Sequence, residues 1–181
     1  MTAATMSSSS FRLCAVSIDG SFGRQTDKDQ KHEQAVAIFD LLDNNSFAPV
    51  GHGGGPYRLC LALAERRLVI SVTTEKGAPI LSHHLSLTSF RRLLKDYSLV
   101  CDSYADAMAH SGPQRLEAID MGRRAIHNEA SELLRGRLRS RIDIDLETAR
   151  RLFTLLHILV AQDTLSITLN VTPSLALSSE L

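Results

Sequence analysis

The sequence predicts an α+β domain: an antiparallel β-meander of three to five strands, with about four helices packed mainly on one face. Three observations lead to that class. Between Tyr57 and Leu87 apolar residues recur with period two in three successive runs separated by turn formers. Before and after this stretch the spacing changes to three-and-four, the signature of amphipathic helices. With 181 residues, 44% of them hydrophobic, the chain is long enough to bury a core of its own. One domain over residues 11–161 is expected, preceded by an arm at 1–10 and followed by a tail at 162–181 whose structure the sequence leaves open.

The elements follow in order. "FRLCAVSI", Phe11 to Ile18, reads as a first strand closed by Asp19-Gly20. In "TDKDQKHEQAVAIFDLLDNN", His32, Ala35, Val36, Phe39 and Leu42 recur at helical spacing, Asp27 can cap the first turn with Gln30 three residues on, and Asn44-Asn45 suits the exit. In the meander Leu59, Leu61 and Leu63 form one apolar face, Leu68, Ile70 and Val72 the next, and Leu81, Leu85 and Leu87 the third, with Gly77 in the second turn. Thr88 or Ser89 can cap a helix carrying Phe90, Leu93, Leu94, Tyr97, Cys101, Tyr104 and Met108. Pro113 suits the start of the following helix, with the stripe Ile119, Ile126, Ala130 and Leu133. "RIDID" reads as a short strand or connector, and Asp145 can cap a last helix burying Leu152, Phe153, Leu156 and Leu159. Beyond Gln162 the alternation from Leu165 to Val171 fits an edge strand or a loose tail equally.

Twenty Lys and Arg balance twenty Asp and Glu, so no global field steers the protein toward nucleic acid or an anionic membrane. Cys14, Cys60 and Cys101 lack the close pairing of metal knuckles and redox motifs and read as reduced, mostly buried thiols of a cytoplasmic protein. The opening "MTAATMSSSS" has neither the basic start nor the apolar run of a secretory signal, and fits a disordered arm. The longest apolar run, Leu152 to Ala161, contains His157 and is far shorter than the roughly twenty residues a membrane-spanning helix needs.

One stretch concentrates chemistry. In "DMGRRAIHNEASELL", at roughly 100° per residue, Glu117, Asp120, Arg124, His127, Asn128 and Ser131 fall within one polar band opposite the apolar stripe. Pairs such as Asp120 with Arg124, Arg124 with His127 or Asn128, and Glu132 with Arg135 are worth about 0.2–0.5 kcal/mol each, and by themselves would make the band a solvated face. A metal is disfavoured, because Arg124 lies between Asp120 and His127 and would repel it, while His127 and Glu129 point about 200° apart. Arg123, Arg124, His127 and Asn128 form a donor-rich group suited to a phosphate or a partner's carboxylate. Glu117, Asp120 and Glu132 complete this candidate surface.

Other motifs are weaker. "VGHGGGPY" resembles a phosphate loop only in its glycines: no lysine-serine pair follows, and a strand rather than a helix comes next. "RGRLRSR" could grip nucleic acid, but arginines also belong at a helix C-terminus, and 5% aromatic content without tryptophan provides no stacking platform. His83 and His84 point to opposite faces of their strand.

"HEQAVAIFDLLDNNSFAPV", "GGPYRL", "LSLTSFRRLLKDY", "EAIDMGRRAIHNEASELL" and "ARRLFTLL" together resemble uncharacterised protein family 0262 of the alphaproteobacteria, over about Ile18 to Leu156. The resemblance implies a small bacterial cytosolic protein and carries over no catalytic residue, cofactor or partner. Ala130 stands where the family's pattern has glycine, and the chain past Leu156 departs from the family's short ending, as a lineage-specific extension or a reading-frame scar.

The functional expectation is a non-enzymatic interaction module that needs no cofactor and meets an acidic partner or phosphate-bearing ligand through Arg123, Arg124, His127 and Asn128. The alternative is a small enzyme with His127 as general acid or base and Arg124 stabilising an anion, which requires a cleft over both.

Overall fold

A computed structural model describes residues 10–19 and 28–169. The elements run β1 (Leu13–Ile18), α1 (Lys28–Asp43), β2 (Phe47–Pro49), β3 (Tyr57–Ala64), β4 (Arg67–Thr74), β5 (Pro79–Ser86), a 3₁₀ turn (Thr88–Phe90), α2 (Arg91–His110), α3 (Pro113–Leu138), β6 (Ile142–Ile144) and α4 (Leu146–Leu169). The expected arm at 1–9, the Asp19-Gly20 turn's glycine, the Asp27 cap and the tail beyond residue 169 lie outside the described residues.

β3, β4 and β5 form the antiparallel meander, with Leu61 opposite Ile70 and Ile70 opposite His83. Its faces are those the period-two spacing sets. Leu59, Leu61, Leu63, Leu68, Ile70, Val72 and Leu85 are buried beneath the helical layer, while Arg58, Ala64, Ser82, His84 and Ser86 are exposed on the other side. The two-residue β3–β4 connection holds Glu65 and Arg66 at φ of 49° and 61°, the left-handed values a tight hairpin demands.

The sheet is mixed, which corrects the expectation of a purely antiparallel one. Its order is β1-β3-β4-β5, and β1 runs parallel to β3. Two parallel strands need a long crossover, and α1 with the following segment provides it. One residue is extra in the register, Cys14, between Leu13 opposite Tyr57 and Ala15 opposite Arg58; it is exposed, against the expectation of buried thiols, while Cys60 and Cys101 are half-buried. Asn45 fastens β1 to the end of α1: its Oδ1 accepts from Leu13 N at 2.7 Å, and its Nδ2 donates to Leu41 O at 3.0 Å. A second, small sheet, which the sequence reading lacked, pairs β2 with the expected short strand β6. The glycine loop between β2 and β3 packs against residue 10. A Cβ on Gly55 would stand 2.6 Å from Ser10 O and 2.7 Å from the Tyr57 ring, so only glycine fits there.

α1 is turned from its expected face. Ala37 and Leu41 are buried, whereas Val36 and Phe39 are 45% and 68% exposed. Neither Thr88 nor Ser89 caps α2, which is led by the 3₁₀ turn; Ser89 Oγ instead accepts from Arg137. Met108, expected on the buried stripe, is exposed. α3 begins at Pro113 and α4 is capped by Asp145, whose Oδ1 accepts from Thr148 N at 2.8 Å. Leu152, Phe153, Leu156 and Leu159 are buried as the spacing requires. α4 continues to Leu169, so the first part of the expected edge strand or loose tail is helical. No helix among the described residues is long and apolar enough to cross a membrane.

Between sheet and helices the residual space lined by Leu59, Leu61, Ile70, Leu134 and Leu138 is about 10 Å³, the threshold for one water. That space is too small for a ligand larger than water.

Candidate functional site

α3 packs against α2 on one side and α4 on the other, which buries a wider arc than a helix lying on a single neighbour. Ala130, Ser131, Leu134 and Leu138 form the buried part, and Ile126 and Leu133 pack partly against the core. The polar band expected on one outward strip is consequently divided. Glu117, Arg124, Asn128 and Glu132 are exposed; Asp120, Arg123 and His127 are half-buried; Ser131 is fully buried. Ser131 tolerates that position because its Oγ donates to His127 O, one turn back, at 2.6 Å.

On the outward part, Asp120 holds two guanidinium groups. Its Oδ1 accepts from Arg123 Nε at 3.1 Å and a terminal nitrogen at 2.6 Å, and its Oδ2 meets a terminal nitrogen of Arg124 at 2.7 Å. The Arg123 hydrogen bonds, with the Arg124 charge beside them, hold the Asp120 carboxyl below its ordinary range. Two cations on one carboxylate leave an excess of one positive charge. Arg123 is further stacked 5.0 Å from the Tyr104 ring centre, which leaves Arg124, 69% exposed, as the outward cation. Glu132 lies 3.9 Å from Arg135, the expected i,i+3 pair, and Glu129 meets Arg92 of α2 at 3.3 Å.

His127 turns inward to α4 instead of pairing with Arg124. Its Nε2 lies 3.0 Å from Thr154 Oγ1, and that hydroxyl donates to Arg150 O at 3.2 Å. A hydroxyl has one proton, and this one is committed to the carbonyl, so Nε2 carries the hydrogen and donates to Thr154. Nδ1 is left as an enclosed lone pair without a hydrogen-bond partner among the described residues. Burial, reinforced by the charges of Arg150 and Arg123, lowers the pKa of His127 to about 4, so the ring is neutral at physiological pH.

Around His127 the three helices bring together an aromatic cluster. Tyr97 of α2 lies 5.3 Å from the His127 ring, 5.5 Å from Phe153 and 4.8 Å from His157, the last nearly perpendicular. His157 Nε2 stands 2.8 Å from Ser98 Oγ, and burial lowers its pKa as well. Burial first, and then Cys101 beside it, raises the Tyr97 hydroxyl to about 12. Tyr97, His127 and His157 are thus all biased toward their neutral forms. Tyr97 and Cys101 read in the sequence only as part of an apolar stripe; the one signal for His157 was a histidine inside an otherwise apolar run. Thr154 and Ser98 gave none, because their role depends on which helix faces them.

The remaining motifs are dispersed. His83 faces the helical side of the sheet and His84 is exposed on the other. Of the arginine run, Arg135 donates to Ile144 O at 3.1 Å and Arg137 to Ser89 Oγ at 2.7 Å, which ties both to the fold. His52 in the glycine loop packs edge-on against Tyr57, with Nδ1 3.1 Å from its hydroxyl. No group of three His, Cys, Asp or Glu side chains among the described residues is placed to share a metal ion.

The pattern of an uncharacterised protein family, UPF0262, matches residues 10–162, a wider span than the resemblance read from the motifs. A UPF0262 protein of Rhizobium etli strain CIAT 652 is 56% identical over 154 residues, covering 85% of this chain and 98% of the relative. One from Mesorhizobium japonicum is 55% identical over 149 residues, 82% of this chain and 92% of the relative; one from Agrobacterium fabrum is 53% identical over 154 residues, 85% and 98%. No solved structure matches the chain. The match embraces every described element from β1 through most of α4, including the divided α3 and its junction with α2 and α4, and the chain belongs to the UPF0262 family.

Proposed function

We propose that the protein is a non-catalytic interaction module that meets an anionic group, on an acidic partner or a phosphate-bearing ligand, through the outward strip of α3. Arg124 is the principal contact, Asn128 one turn on adds a second donor, and Arg123 behind them adds charge. The observation that carries this reading is the Asp120 clamp. One carboxylate fixes two guanidinium groups, by one terminal nitrogen of Arg124 and by Nε and one terminal nitrogen of Arg123, leaving a net positive charge and several N–H donors of Arg124 uncommitted. Such a group loses little side-chain freedom when it binds. Glu117 and Glu132 flank the strip and select against ligands that approach with their charge off-centre.

The catalytic alternative has less support. Arg124 is exposed whereas His127 is half-buried and committed to Thr154 of α4, and a base of pKa about 4 is weak for proton abstraction at neutral pH. The test is a titration of the ¹⁵N-labelled protein with inorganic phosphate and with an acetylated tetraglutamate peptide. The expected result is saturable movement of the Arg124 Nε–H and Asn128 side-chain signals by at least one of them, lost in Arg124→Gln. No saturable movement with either probe, or equal movement in Arg124→Gln, refutes the proposal.

A further inference from the structure

A second surface, on the other side of the molecule's chemistry and independent of the α3 strip, has the makings of a small-ligand site. Among the described residues β5 is an edge strand of the main sheet, paired with β4 alone. Beside it comes the turn that joins α3 to β6, and the two are separated by a depression of about 260 Å³ lined by Val50, Ile80, Leu81, Ser140 and Arg141. Backbone bonds fix the far wall: Arg141 N donates to Leu138 O at 2.8 Å, and Val50 N donates to Arg141 O at 2.9 Å. Arg141 is thereby located by its main chain, and its guanidinium makes no ion pair with a carboxylate among the described residues.

A second polar group nearby lacks a partner. In the β4–β5 register Leu81 stands opposite Val72 and His83 opposite Ile70, so Leu81 and His83 share the helix-facing side of the edge strand. The His83 Nε2 is enclosed and has no hydrogen-bond partner among the described residues. Burial, and then the charge of Arg141, lowers the pKa of His83, so the ring is neutral and sits within electrostatic reach of the guanidinium. His83 does not itself line the depression; the guanidinium of Arg141 at its wall, without a carboxylate counter-ion among the described residues, is the group an anionic ligand would complete.

We infer that this depression binds a small monocarboxylate with an apolar body, its carboxylate on Arg141 and its alkyl or aryl part over Val50, Ile80 and Leu81. The charge count selects the headgroup. The one guanidinium lining the depression balances one negative charge, whereas a phosphate dianion would bring an uncompensated charge into a half-apolar site. Size bounds the body: about 260 Å³ accommodates a small ligand with about eight to ten heavy atoms, such as hexanoate or phenylacetate.

The experiment is titration of the full chain with hexanoate, 1-hexanol and inorganic phosphate, followed by backbone amide shifts. Hexanoate is expected to saturate near 1 mM in order of magnitude, moving the amides of Val50, Ile80, Leu81 and Arg141. Hexanol, and hexanoate with Arg141→Gln, should bind at least ten-fold more weakly, and phosphate should leave these amides unmoved. Arg141 holds its turn through backbone atoms, so Arg141→Gln keeps the fold, which an unchanged thermal midpoint checks; Arg141→Lys, retaining charge without the fork, should fall between. Equal binding of hexanol and hexanoate, undiminished binding by Arg141→Gln, or no saturable shift with hexanoate overturns the inference. Phosphate shifts confined to α3 bear on the interaction reading alone, so the two fail separately.

Discussion

Asn45 is the residue whose replacement most directly probes how the parallel strand is held. Its Oδ1 takes the Leu13 N–H at 2.7 Å, and its Nδ2 reaches Leu41 O at 3.0 Å and, less closely, Leu13 O at 3.4 Å and Leu42 O at 3.5 Å. Leu13 is fully buried, so in Asn45→Ala its N–H has neither water nor protein to bond, a penalty of about 1–3 kcal/mol. The short Nδ2 bond adds about 0.5–1.5 kcal/mol, and the long contacts little. The expected loss is therefore about 2–4 kcal/mol by urea denaturation at pH 7, with unchanged m-value. Asn45→Asp separates the contributions, since it keeps the acceptor but turns a charged oxygen toward the carbonyls at the negative end of α1. It should be at least as damaging as alanine at pH 7 and recover partly below about pH 4, where the protonated acid can again donate. A loss under about 0.5 kcal/mol for Asn45→Ala, the scale of an ordinary surface change, would refute the latch.

Three further outcomes are expected. The hairpin residues Glu65 and Arg66 both adopt left-handed φ, so Glu65→Asn combined with Arg66→Gly should raise the thermal midpoint, by about 1 kcal/mol of stability; a lowered midpoint contradicts the strain argument. Thr148, fully buried, accepts Ser46 N–H at 2.8 Å, and Thr148→Val should cost about 1–3 kcal/mol in chemical denaturation despite its matching shape. Finally, stability should decline as pH falls from 6.5 toward 4: the unfolded chain protonates His127 at its ordinary pKa while the folded chain resists to about 4, so the unfolded state binds more protons in that window. The loss is about 2–3 kcal/mol after allowance for partial solvent access, His157 acts in the same direction, and His127→Gln should flatten the profile.

The meander was legible because period two allows one assignment of faces, and β3, β4 and β5 are joined by turns too short for any other pairing. The partner of β1 was not, since a parallel neighbour is chosen by the packing of the intervening helix and by Asn45, neither of which is a local signal. In α1 two apolar series overlap, Val36 and Phe39 in one and Ala37, Ile38, Leu41 and Leu42 in the other; spacing alone does not rank them, and packing against α4 and β1 selected the second. The chemistry of α3 was half legible. Residue type and spacing located the Asp120–Arg124 pair, but a plain outward strip assumes one neighbouring helix, and α3 has two. Its second neighbour converts His127 and Ser131 from surface groups into internal ones. In the last segment the alternation past Leu165 yielded to continuation of α4, because adding a residue to an existing helix needs no new nucleus.

The division of α3 into an inward neutral imidazole and an outward arginine pair is tested most directly by ¹⁵N-detected titration of the His127 ring in the folded protein. The account expects the Nε2–H tautomer throughout the neutral range, with protonation only near pH 4, while Arg124→Gln leaves that titration in place. A ring that exchanges between tautomers and titrates near its ordinary 6.5 would place His127 in water and contradict the arrangement of the three helices.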